Sequence, residues 1–81
     1  MKLFSFDKFW EISWGKLQGY LFEAKYNGYI IVADKRKVSS PEFKIYKDSI
    51  KDDNCVAAHL DSDLLIMQLK SIKETGKIAV R

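Results

Sequence analysis

Asn27-Gly28 stands between two alternating runs, Tyr20-Leu21-Phe22-Glu23-Ala24-Lys25-Tyr26 and Tyr29-Ile30-Ile31-Val32-Ala33-Asp34. Asn-Gly readily takes positive φ at both central residues of a type I′ turn, whose twist matches that of the strands on either side. The pair therefore predicts a hairpin over residues 20–36 and fixes its register: Tyr26 faces Tyr29, Ala24 faces Ile31 and Phe22 faces Ala33. Alternation then sorts the hairpin into two faces. One carries Tyr20, Phe22, Ala24, Tyr26, Tyr29, Ile31 and Ala33; the other carries Leu21, Ile30 and Val32 among Glu23, Lys25 and Asp34. Both are substantially apolar.

The remaining elements follow from periodicity and from stop signals. Phe6, Trp10, Trp14 and Leu17 have helical spacing and predict an N-terminal helix from about Ser5 to Gln18. Ser5 would cap it, with Phe4 and Phe9 as a hydrophobic staple, Asp7 in the first turn and Gly19 as the stop. Gly15 is its weak point, and Trp10, Ile12 and Trp14 also alternate as a short strand would. Ser39-Ser40-Pro41 predicts a turn, and Glu42 to Lys47 a third strand with Phe43 and Ile45 opposite Lys44 and Tyr46. Lys51 to Asn54 is a polar loop, and Cys55 to Leu60 is a short strand or a helix start. Ser62 and Asp63 open a C-terminal helix with the stripe Leu65, Leu69 and Ile72, closed by Gly76. The run Leu64 to Met67 implies burial nearly all round. Ile78-Ala79-Val80 is a candidate last strand, and a hairpin of residues 64–72 with 77–81 is the competing reading.

The expected fold is α+β: a small antiparallel sheet of three to five strands built on the 20–36 hairpin, with an N-terminal and a C-terminal helix. The element order is α-β-β-β-(β)-α-β. A chain of 81 residues implies a single domain over 1–81. At this length folding hides only about 60–65% of the unfolded surface. The 14% aromatic content still supplies enough bulk for a core, and it argues against disorder. A single cysteine, Cys55, cannot form an internal disulfide, so a reducing cytoplasmic setting is expected. The N-terminal apolar stretch is broken by Ser5, Asp7 and Lys8, unlike a signal peptide, and no run reaches the ~18 apolar residues of a membrane span.

Chemistry-bearing residues are few. Cys55 and His59 share i,i+4 spacing, but a nucleophilic dyad needs a depressed thiol pKa and an orienting third group, and the sequence marks neither. His59, Asp61 and Asp63 alternate as metal donors on a strand could, yet Asp61, Ser62 and Asp63 are more simply a helix cap. Asp52-Asp53-Asn54 lacks the spaced acids, central glycine and closing glutamate of a calcium loop. No catalytic residue, metal or cofactor is expected.

The α-β-β-β-α order resembles that of double-stranded-RNA-binding domains. The basic residues with which those domains open their last helix are replaced here by Asp61-Ser62-Asp63, which would repel phosphate. The net charge of +3 is unevenly spread, with nine Lys/Arg against five acids in residues 1–47. Lys35-Arg36-Lys37, with Lys25, Lys44 and Lys47, is a candidate basic strip. Beside Tyr26 and Tyr29 it is the nucleic-acid reading, an RNA or single-stranded DNA interface.

The leading expectation is a non-catalytic interaction module. Two helices cannot cover both apolar faces of the hairpin if they pack on the same one. Trp10, Trp14, Leu21, Ile30 and Val32 are therefore the candidate partner-binding residues. The expected partner is a protein, with a homodimer as one form of it, and no membrane is expected. Small motif-free proteins of this kind include many phage and mobile-element factors that bind host machinery. The expected mechanism is steric, in the direction of inhibition.

Overall fold

The computed structural model describes residues 2–37 and 40–79. Five antiparallel strands form one sheet in sequence order: β1 (Gly15–Gln18), β2 (Leu21–Tyr26), β3 (Tyr29–Asp34), β4 (Glu42–Lys47) and β5 (Cys55–Leu60). A short helix, α1 (Asp7–Trp10), precedes the sheet, and a 14-residue helix, α2 (Ser62–Thr75), follows it. This is the expected α+β architecture at the upper end of its strand count.

The hairpin holds the register that its turn dictated. Asn27 (φ 48°) and Gly28 (φ 84°) both take positive φ, and Tyr26 faces Tyr29, Ala24 faces Ile31 and Phe22 faces Ala33. β4 adds to β3 in continuous register, Ile31 against Ile45 and Val32 against Lys44. The two edge strands are irregular. β1 is four exposed residues with a break between Lys16 and Gln18, and β5 breaks register with β4 twice, with His59 at φ 57°. Short, bulged edges of this kind discourage strand addition.

The C-terminal helix forms over residues 64–72, and no hairpin does. Asp61 caps it, its Oδ1 accepting from the Leu64 N–H at 2.8 Å. Gly76 (φ 76°) closes it by donating its N–H to the Ile72 carbonyl at 2.8 Å. Leu65, Leu69 and Ile72 face the sheet and are buried, whereas Met67 is exposed, so the helix is amphipathic and not buried all round. Ile78 and Ala79 form no strand; the Gln68 side chain instead accepts from the Ala79 N–H at 2.8 Å. Val80 of that expected strand and Ser39 of the expected turn lie outside the described residues.

The N-terminal helix is one turn long and does not run from Ser5 to Gln18. Ser5 gives no cap, and Phe9 is 74% exposed, so it does not staple to Phe4. The helix stops at Glu11, which takes the left-handed conformation (φ 55°), and the Ile12 N–H reaches back to the Asp7 carbonyl at 3.0 Å. That is the Schellman closure, made here without a glycine. Its cause is Asp7, whose buried carboxylate accepts from the Leu3 and Phe4 N–H groups and, at 2.9 Å, from Trp14 Nε1. A buried carboxylate must be saturated with donors. Meeting that demand folds residues 3–14 into a compact flap, after which Gly15 begins a strand. Phe6, Trp10 and Trp14 all reach the core, but through a helical turn, a reversal and an extended segment.

Candidate functional site

The two faces of the sheet have different fates. On one, Ala24, Tyr29, Ile31, Ala33, Phe43 and Ile45 pack beneath α2 and the flap in a single buried cluster. Phe4, Phe6 and Trp14 meet Phe43 there with ring centroids 5.0 to 6.2 Å apart. Trp10 and Trp14, expected at a partner surface, belong to this core at 9% and 3% exposure. The Trp14 indole is held by Asp7, and Trp10 lies edge-on to Tyr26.

The opposite face has no helix over it. Cross-strand register places three rows of side chains there. The first row is Leu21, Asp34 and Glu42; the second is Glu23, Val32 and Lys44; the third is Lys25, Ile30, Tyr46 and Cys55. Val32 and Tyr46 are buried yet lie outside the core cluster, so they make a second, thin apolar layer. Leu21 and Ile30 are half-buried beside them. A shallow depression on this face is lined by Leu17, Leu21, Val32, Tyr46 and Ile50 together with the charged Asp34, Arg36, Glu42 and Lys44, and Leu17 and Ile50 are exposed.

Of the five candidate partner-binding residues, the structure thus brings Leu21, Ile30 and Val32 together and removes Trp10 and Trp14. Leu17, Tyr46 and Ile50 join the patch without having been singled out. The alternation of β4 already set Tyr46 opposite Phe43, but only the β3–β4 register puts it beside Ile30.

Charge surrounds the apolar centre. Arg36 binds Asp34 through Nε at 2.9 Å and Nη2 at 2.7 Å, and this guanidinium holds the Asp34 carboxyl below its usual range. Glu42 is 3.0 Å from His59 Nδ1. Among the described residues, Glu23, Lys25 and Lys44 have no ion-pair partner within 4.0 Å.

The expected basic strip disperses. Lys35 lies over the Phe4 ring at 5.1 Å, Arg36 is engaged by Asp34, and Lys47 lies over the Tyr29 ring at 4.5 Å on the core side. Lys37 is exposed. Tyr29 is buried and its hydroxyl donates to the Gly76 carbonyl at 3.3 Å; Tyr26 is half-buried against the core. Tyr29 therefore offers no free face for a base to stack on, whereas Tyr26 keeps part of its surface open. Cys55 donates to the Ala57 carbonyl at 3.4 Å, and His59 is directed to Glu42, so their shared spacing brings no dyad together. Among the described residues no three His, Cys, Asp or Glu side chains are grouped to hold a metal ion, and no helix is long and apolar enough to cross a membrane.

No protein-family model matches the chain, no curated protein matches its sequence, and no solved structure matches its fold.

Proposed function

We propose that the protein is a non-catalytic interaction module that docks on a protein partner through the open face of its sheet. One observation carries this reading: Leu21, Ile30 and Val32 form an apolar centre, with Leu17, Tyr46 and Ile50, on a sheet face that no helix covers. A centre of apolar side chains inside a charged rim is the anatomy of a protein contact surface. The opposite face is rigid, since α2 and the Asp7-centred flap are packed on it, and a rigid platform keeps the ordering cost of docking low. Function then consists of covering a site on the partner, with inhibition as the expected consequence and a cytoplasmic phage or mobile-element factor as the expected setting.

The test is a Leu21→Lys, Ile30→Lys double variant, which changes the open face and leaves the core alone. A partner isolated with the wild-type protein should bind this variant at least tenfold more weakly, while circular dichroism shows an unchanged fold. Equal affinity, or protection of α2 against hydrogen exchange in place of the open face, would overturn the assignment.

A further inference from the structure

We propose that the open face takes a second copy of this chain, sheet against sheet, about a two-fold axis parallel to β3. The inference rests on the reading of that face as a docking surface and names its occupant. The observation is a pattern of signs. In the middle row, Val32 on β3 stands between Glu23 on β2 and Lys44 on β4. Both charged residues are half-buried, and within the chain neither has an ion-pair partner among the described residues. Half-buried charges of opposite sign, one strand to either side of an apolar centre, make the face self-complementary to a second copy laid against it.

Aligned packing of two identical sheets offers two two-fold axes. An axis along β3 exchanges β2 with β4 and keeps the rows. Glu23 then faces the second copy's Lys44, and Lys44 faces the second copy's Glu23. Val32 and Ile30 meet their own images at the centre, and Lys25 meets the second copy's Tyr46. Asp34 meets its image at one end, where each carboxylate is already neutralised by its own Arg36. An axis across the strands instead sets Glu23 on Glu23 and Lys44 on Lys44, leaving like charges face to face in a partly dry contact. Sheets pack ~10 Å apart, a span that a glutamate and a lysine bridge from opposite sides. The charge pattern therefore selects one axis.

The irregular edges remove the competing route to a dimer, since β1 is short and β5 is twice bulged. Size sets the strength. Strands ~4.8 Å apart and a rise of ~3.3 Å per residue make the face roughly 20 Å on a side. That is about 400 Å², half of the ~800 Å² per partner of a standard interface. The dimer is accordingly a weak, concentration-dependent one.

Sedimentation of the purified protein, from low micromolar to near-millimolar concentration, tests it by charge exchange. Wild type should pass from monomer to dimer. Glu23→Lys alone and Lys44→Glu alone should each weaken dimerisation at least tenfold. The double variant carrying both should return to within about threefold of wild type, because the exchanged pair meets again across the axis. Thermal midpoints of all four proteins serve as the folding control. A wild type monomeric throughout overturns the inference, as does a double variant weaker than either single one or a dimer indifferent to all three variants. If the wild type is monomeric while Leu21→Lys, Ile30→Lys still loses a captured protein, the self-association has failed and the docking reading has not.

Discussion

Ile31 and Ile30 are consecutive residues of one strand, yet one is sealed under α2 and the other is half-open on the far face. The two sides of the sheet are built from the same alternation and similar apolar content. They differ in what lies above them. On the core side the flap and α2 converge on Phe43, Ile31 and Ile45; on the open side only neighbouring side chains shield Val32 and Tyr46. Being apolar by alternation makes a face able to be buried, and a covering element decides whether it is. The open face has the residue pattern of a contact surface because its charges flank an apolar centre without pairing across it.

The sharpest way to break this comparison is to truncate both isoleucines. Ile31→Ala should destabilise the fold by about 4 kcal/mol, the usual scale for a fully enclosed aliphatic side chain. Ile30→Ala should cost about 1 kcal/mol or less at a dilution where the protein is monomeric. Equal losses in urea unfolding would mean that the open face is as covered as the core.

Asp7→Ala removes the acceptor that organises the flap and orphans the Trp14 indole N–H and two backbone donors. A loss of about 3 kcal/mol is expected, with a red shift of Trp14 fluorescence as the core face opens. An unshifted spectrum would mean the flap is held by its aromatic contacts alone.

Gly28→Val acts on the turn that both faces share. A Cβ there would come no closer than 3.4 Å to the flexible end of Lys47, so the penalty comes from φ of +84° and not from a clash. About 1–2 kcal/mol is expected for a β-branched residue in that region. An unchanged unfolding midpoint would contradict the register on which the two faces are defined.

The smallest effects belong to the rim of the flap. Glu11→Gly should stabilise by about 0.5 kcal/mol, because glycine adopts the left-handed conformation without strain. The same change bears on Tyr26, whose pKa is raised above 10.0 first by burial and then by the Glu11 charge. The folded state thus favours the neutral phenol. The stability this provides is present below pH 10.0 and is lost as pH climbs through the folded value. Absorbance titration should show Tyr26 returning part of the way in Glu11→Gly. A complete return would assign the shift to charge and not to burial.

Much of this was legible in the residues. Asn27-Gly28 determined the hairpin, its register and the division into two faces, because a two-residue turn with positive φ leaves no other pairing. Asp61 and Gly76 marked the limits of α2, because capping is chemistry within one turn of chain. The N-terminal segment departs from its sequence pattern, since Phe6, Trp10 and Trp14 satisfy a helical period while a buried Asp7 bends the backbone out of it. Hydrogen bonds from Leu3, Phe4 and Trp14 to one carboxylate are a three-dimensional closure that no local period records. The same holds for the open face. Local alternation determined which side chains share it, and only tertiary packing decided that α2 and the flap would both settle on the other side. That placement left Leu21 and Ile30 half-exposed on the far face and buried the two tryptophans, because burial depends on elements brought together from distant parts of the chain.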